Sequence, residues 1–146
     1  MNIRTMTIND YEQVYSLWVN TPNMGLNNLD DSIDGIAKYL ARNPNTCFVA
    51  EKNGSIIGVI LSGHDGRRGF IYHLAVSQDE RRQGIGAALV CEAMSALERE
   101  GINKVALVVM TKNENGNTFW EKQFFTTRSD LVYRNKAIVD LIRFDT

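Results

Sequence analysis

Two periodicities organise the apolar positions of this chain. Ile33, Ile36, Ala37 and Leu40 recur at helical spacing and predict a helix over 32–42. Tyr11, Val14, Leu17 and Trp18 do the same further upstream, with Asn9 as an N-cap candidate and Glu12 three residues on. That first helix should end near Thr21-Pro22, because the residue before proline disfavours helical backbone. A polar loop at 23–31 separates the two. Beyond them the period changes. Apolar runs at 48–51 and 56–61 flank Asn53-Gly54, a hairpin signal, and a second turn at 63–69 feeds a strand over 70–76.

Ile85, Leu89, Ala93 and Leu97 then mark a long helix to Glu100, closed by Gly101. A strand over 104–110, a short helix around 118–123 and strands over 131–134 and 138–144 complete the pattern. The expected order is β-α-α-β-β-β-α-β-α-β-β.

The segment joining the strand at 70–76 to the long helix carries the chemistry. It reads Leu74-Ala75-Val76, a short polar turn, then Arg81-Arg82-Gln83-Gly84-Ile85-Gly86-Ala87. A strand that feeds a glycine-containing loop at a helix N-terminus presents unpaired amides and the positive end of a helix dipole, a setting for phosphate or pyrophosphate. Gly84 and Gly86 have no Cβ to hold such a ligand off the backbone. No lysine follows as a P-loop requires, and Leu89 stands where a dinucleotide fingerprint needs a small residue.

Composition narrows the class. A chain of 146 residues suits one domain over 1–146, and a net charge of -1 argues against a nucleic-acid partner. The N-terminus lacks the apolar core of a signal peptide, and the longest apolar run, 105–110, is too short to span a bilayer. Cys47 and Cys91 lack metal-ligand spacing, so no metal is expected and reduced thiols in a cytoplasmic protein are.

The Arg-x-x-Gly-x-Gly loop after a Leu-x-Val strand resembles the acetyl-CoA loop of the GNAT N-acetyltransferases. A second segment, Asn113-Glu114-Asn115-Gly116-Asn117-Thr118-Phe119-Trp120-Glu121-Lys122, is similar to that family's Asn-x-x-Ala-x-x-Phe-Tyr-Glu-Lys stretch. The resemblance covers essentially the whole length. It implies an α/β fold of the acyl-CoA N-acyltransferase (GNAT) type, a central mixed, mostly antiparallel sheet flanked by helices. It also implies acetyl-CoA as co-substrate, transfer of the acetyl group to a primary amine by direct attack, and the homodimers common in the family.

Carried over by position, Leu74, Ala75 and Val76 would meet the pantetheine arm through main-chain groups. Arg81, Arg82, Gln83, Gly84, Ile85, Gly86 and Ala87 would cradle the pyrophosphate, although Arg82 reads equally as a solvated surface residue. Asn113 would contact CoA, cap a helix, or both. Trp120 stands where the family often has the Tyr that protonates the leaving thiolate, and an indole N–H cannot release that proton. Phe124 replaces the family's turn glycine.

Where the family places an acid/base group, this chain has Tyr72 and Phe70, and Tyr72 is the catalytic candidate. Strand alternation puts His73 on the face opposite Tyr72, as a hydrogen-bonded structural residue. His64, Asp65 and Glu51 read as structural or solvated, Tyr133 as a residue able to enter the cleft, Asp31 and Asp34 as helix caps, and Asp30 as open between capping and substrate contact. Because no strong base is evident, a non-catalytic acyl-CoA sensor is the competing reading.

Overall fold

The computed structural model describes residues 1–144; the last two residues of the expected 1–146 domain lie outside the described residues. In chain order the elements are β1 (Asn2–Thr5), α1 (Tyr11–Val19), β2 (Leu26–Asn27), α2 (Ile33–Arg42), β3 (Phe48–Lys52), β4 (Ser55–His64), β5 (Gly69–Val76), α3 (Ile85–Arg99), β6 (Val105–Ala106), α4 (Glu114–Lys122) and β7 (Arg143–Phe144). Short 3-10 turns precede α1 and α3.

A five-stranded sheet runs β1-β3-β4-β5-β6. Every pairing in it is antiparallel except the last, β5 with β6. The Asn53-Gly54 hairpin forms as expected, both residues taking positive φ. β4 is buried on both faces, and its apolar run of Ile56, Ile57, Val59, Ile60 and Leu61 divides the core in two. One half holds Val14, Trp18, Ile36 and Leu40 from α1 and α2. The other holds Ile85, Leu89, Val90, Ala93 and Ala96 from α3. No described helix is long and apolar enough to cross a membrane.

Several boundaries differ from expectation. The first helical segment starts earlier than Asn9 implies: Thr7 N–H donates to Asp10 Oδ2 at 2.9 Å, and a 3-10 turn at Ile8–Asp10 leads into α1. Arg4 donates to both Asp10 oxygens and to Glu51 at 2.9 Å, so Glu51 ties the first turn to the sheet. Ile33, expected inside, is exposed at the first position of α2. The strand expected over 104–110 shortens to Val105–Ala106, because β6 leaves β5 after Phe70 pairs with Ala106. The short helix around 118–123 begins one turn earlier, at Glu114. The strands expected over 131–134 and 138–144 do not pair with each other. Only Arg143–Phe144 is a strand, and it pairs with β2. With β6 just two residues long, the main sheet offers those runs no edge to extend.

Two outcomes follow for stability. A Cβ on Gly35 would overlap the backbone carbonyl oxygens of Leu29 and Asp30. Gly35→Ala should therefore cost about 1–3 kcal/mol in urea unfolding, the range for overpacking. Burial alone would raise the Asp10 carboxyl, but the bonds from Arg4 and Thr7 outweigh it and hold its pKa below the ordinary value. A depressed carboxylate adds stability that is complete above the unfolded pKa of about 3.9 and is lost as pH falls through the folded one. Asp10→Asn should lower neutral-pH stability and flatten that acid slope in thermal melts.

Candidate functional site

An open cleft of about 2240 Å³ runs between β5, the stretch after β6, and the N-terminal ends of α3 and α4. That exceeds the few hundred to ~1,000 Å³ of an ordinary small-molecule pocket, leaving room for an extended ligand and a second one. Of the residues expected at the site, Tyr72, Leu74, Ala75, Val76, Arg81, Arg82, Gly84, Ile85, Gly86, Ala87, Asn113 and Trp120 line it. Gln83 stands outside the lining; its Nε2 donates to Glu80 at 3.2 Å. Ala75 reaches the cleft with its backbone, since its side chain packs in the core beneath α1 and α2.

The geometry of β5 explains why its backbone is available. Its ladder to β6 comprises only Gly69↔Val105 and Phe70↔Ala106. Ser77 N–H donates to Ile57 on β4 at 2.8 Å. Amide and carbonyl directions alternate along a strand, so Leu74 and Val76 turn theirs to the other edge, where β6 has departed. Arg81 Nε lies 3.4 Å from the Val76 carbonyl on that edge.

The edge leads into the N-terminus of α3. Arg82 (φ 65°) and Gly84 (φ 77°) adopt left-handed backbone, which brings the loop around. The first bond within the helix is Ala88 N–H to Gly84 O at 3.0 Å, so the amides of Ile85, Gly86 and Ala87 have no helical acceptor. The positive pole of a 15-residue helix lies at the same place. Gly86 has a further reason to be glycine: a Cβ there would sit 3.2 Å from the Phe119 ring of α4. Asn113 is the N-cap of α4, its Oδ1 accepting from Gly116 N–H at 2.9 Å. Trp120 is wedged edge-on between Phe119 and Phe125, at 5.0 and 5.1 Å between ring centroids.

The other end of the cleft contains the main surprise. β4 and β5 shift register between Leu61 and Ser62, which pair with His73 and Ile71 and leave Tyr72 as the extra residue of a bulge. Alternation breaks there, which corrects the expectation that His73 and Tyr72 occupy opposite faces. Tyr72 meets Tyr39 of α2 edge-on at 5.7 Å, while His73 meets Trp18 of α1 at 4.9 Å. Both side chains face the α1–α2 side.

His73 is buried and hydrogen-bonded as expected, its Nε2 2.7 Å from Asp31 Oδ1. Asp31 is therefore not a helix cap. Ser32 caps α2 by accepting from Gly35 N–H, and Asp31 Oδ2 accepts from Asn27 N–H at 2.8 Å. The Asp31–His73 pair was invisible in the sequence because the two lie 42 positions apart and meet only through the bulge.

Tyr72 itself is 56% exposed. Partial burial pushes its hydroxyl pKa up, and neighbouring Tyr133 and Asp30 add to the effect. It is thus a neutral hydrogen-bond donor at ordinary pH, not a base. Tyr133 and Asp30 share this end of the cleft. His64 instead bonds Glu100 at 2.8 Å, and Asp65 accepts from Arg67 and Arg68 N–H within its turn.

Residues 11–124 match the model of the acetyltransferase (GNAT) family. The chain is 32% identical over 140 residues to a protein of Yersinia pestis (strain Pestoides F) named acetyltransferase, covering 96% of this chain and 98% of that one. Its fold is similar to that of Ard1 from Thermoplasma volcanium, with a TM-score of 0.78 and 24% identity over 88% of this chain and 84% of that chain. A PaiA N-acetyltransferase from Thermoplasma acidophilum, solved in complex with coenzyme A, superposes with a TM-score of 0.73 and 19% identity over 84% and 87% of the two chains.

The Asp31 pairing carries a testable consequence. Asp31→Ala leaves His73 Nε2 and Asn27 N–H without their acceptor, and two orphaned groups at about 1–3 kcal/mol each put the total at about 2–6 kcal/mol. Urea denaturation should show a loss in that range, and hydrogen exchange should accelerate at residues 26–31 ahead of the β3–β4 hairpin.

Proposed function

The chain belongs to the acetyltransferase (GNAT) family, whose acetyl donor is acetyl-CoA, and we propose that this cleft transfers the acetyl group to a primary amine of a small molecule or protein. The observation that carries the reading is continuous: an unpaired backbone edge at Leu74 and Val76 runs directly into free amides at a helix N-terminus. The edge suits the two amides of a pantetheine arm, and the helix end with Arg81 and Arg82 suits a pyrophosphate. Asn113 still has its amide N–H groups to offer, since its oxygen alone caps α4. Trp120 contributes an apolar wall.

In this reading the amine attacks the thioester carbonyl while a main-chain N–H at Leu74 or Val76 polarises the oxygen. The nitrogen bonds the carbonyl carbon, the C–S bond breaks, and sulfur keeps the electron pair. The surplus proton on nitrogen ends on sulfur. Tyr72 hydroxyl passes one proton to the thiolate and recovers another from the ammonium through water. Holding both reactants in register supplies the rest of the acceleration. The proposal extends to a single domain over 1–146 in the cytoplasm, with an amine acceptor and a homodimer as its partners. The sensor alternative is not favoured, because the full-length relative is named an acetyltransferase.

Ala87 lies in the first turn of α3 and lines the cleft. A glutamate there is compatible with the helix dipole yet repels a pyrophosphate. Calorimetric titration should show acetyl-CoA binding to the wild type and at least tenfold weaker binding to Ala87→Glu, about 1.4 kcal/mol. Equal affinity would remove the loop from the proposed site. In a thiol-release assay, Tyr72→Phe should lower kcat about 10²-fold, the scale of general acid–base catalysis, with acetyl-CoA affinity retained.

A further inference from the structure

The Tyr72 end of the cleft carries charges that the fold itself does not neutralise. Lys38, Tyr39 and Arg42 of α2 all line it, and spacings of three and four residues set them on one helix face. The Tyr39 ring meets Tyr72 edge-on at 5.7 Å, and Tyr72 meets Phe70 at 4.7 Å. That face of α2 therefore lies against the part of β5 just before Leu74. Like charges four positions apart on a helix repel, yet neither Lys38 nor Arg42 has an ion-pair partner among the described residues. Asp34 stands one turn before Lys38 and forms no bridge to it. Arg42 complements the helix dipole from the last turn of α2, but Lys38 has no such compensation.

Asp30 stands at the opposite end of the same helix. Its carbonyl oxygen lies where a Gly35 side chain would be, so it abuts the first turn of α2. Asp30 Oδ2 accepts from Asn27 Nδ2 at 2.9 Å, and the carboxylate neighbours the Tyr72 hydroxyl. Helical rise separates Gly35 from Arg42 by roughly 10 Å along the axis. The wall thus has a negative pole and a positive pole, with the Tyr39 and Tyr72 rings between them.

We propose that the acceptor is a small amine that also carries an anionic group, the anion held by Lys38 and Arg42 and the ammonium received by Asp30. This deepens the acetyl-transfer reading above and rests on it. An acceptor lying along this wall brings its nitrogen to Tyr72, two residues before Leu74, and its anion toward the last turn of α2. A guanidinium pairs a carboxylate or a phosphate through two parallel bonds, and a lysine adds a point charge beside it. The rings between the poles suit a short methylene spacer. A plain alkylamine satisfies Asp30 and leaves the two cations as repelling neighbours. A diamine adds a further positive charge to them.

Thiol-release kinetics with matched amines tests the proposal. The probes are a ladder from β-alanine to ε-aminohexanoate, the corresponding aminoalkylphosphonates, and the alkylamine and diamine of each length. The best anionic amine should exceed its alkylamine and diamine in kcat/KM about tenfold, the scale of two partly exposed ion pairs. Whether that probe is a carboxylate or a phosphonate identifies the anion. Lys38→Glu with Arg42→Glu should erase the ratio by raising KM for the anionic amine, and Lys38→Arg with Arg42→Lys should restore it. Both positions are exposed, so folding is not at stake, and a merely structural role would lower every amine alike. Added salt should shrink the ratio. Alkylamines turned over as well as their anionic counterparts, or a charge-reversed protein that keeps the preference, overturns the proposal and leaves acetyl transfer standing. No turnover of any amine, with acetyl-CoA bound in calorimetry, overturns the acetyl-transfer reading and this proposal together.

Discussion

A sheet in which β5 and β6 part after a single pair of ladder positions cannot satisfy all of its backbone from within. Gly69 and Phe70 take their partners from β6, and the next residues of β5 have no strand partner on that side. In most sheets such a gap would be closed by water or another strand. Here α3 begins directly below it and α4 crosses its mouth, so the open edge becomes the wall of a cleft. Anything that restored the ladder through Val76 would remove the cleft. The rest of the architecture holds the two strands apart: Phe119 rests where a Gly86 side chain would be, and the aromatic contacts of Trp120 fix α4 in place.

The bulge at Tyr72 is the second geometric device, and it acts through parity. One additional residue in β5 turns two consecutive side chains to the same side. Tyr72 is thereby offered to the cleft beside Tyr39, while His73 is drawn into the core to meet Trp18 and Asp31. The carboxylate of Asp31 also holds Asn27 N–H, and Tyr11 hydroxyl donates to the Asp31 carbonyl at 2.7 Å. The loop between α1 and α2 is thus fastened to β5, the strand that lines the cleft. The connection runs from Asp31 to His73, and both of its ends are buried.

Polar groups elsewhere play the same fastening role at the periphery. Arg4 bridges Asp10 and Glu51, so the first strand, the first helical turn and the end of β3 share one guanidinium. Thr46 hydroxyl donates to the Ser62 carbonyl and Ser62 hydroxyl to the Thr46 carbonyl, joining the start of β3 to the buried centre of β4. Burial pushes the neighbouring Cys47 thiol up to about 12, which leaves it a neutral packing group.

Local signals were legible in the sequence wherever a few neighbouring residues fix the backbone. The Asn53-Gly54 hairpin, the Ser32 start of α2, the Gly101 close of α3 and the glycine loop before α3 all arise from φ preferences or caps that act within a turn. The motifs at 74–87 and 113–122 likewise gave the family and the cofactor, because each is built from consecutive residues. What the sequence could not show depends on partners far along the chain. Apolar runs at 104–110 and 131–144 read as strands, yet a strand needs an edge, and the departure of β6 took that edge away. Asp31 looked like a cap until folding brought His73 to it. Alternation was a sound rule for β5 up to the bulge, and the bulge is a property of how β4 and β5 register. The sequence alone determined the fold class and the glycine loop that opens α3, through short-range backbone chemistry. Only the tertiary structure decided which side chains share the Tyr72 end of the cleft, because strand register sets the parity of every residue beyond it.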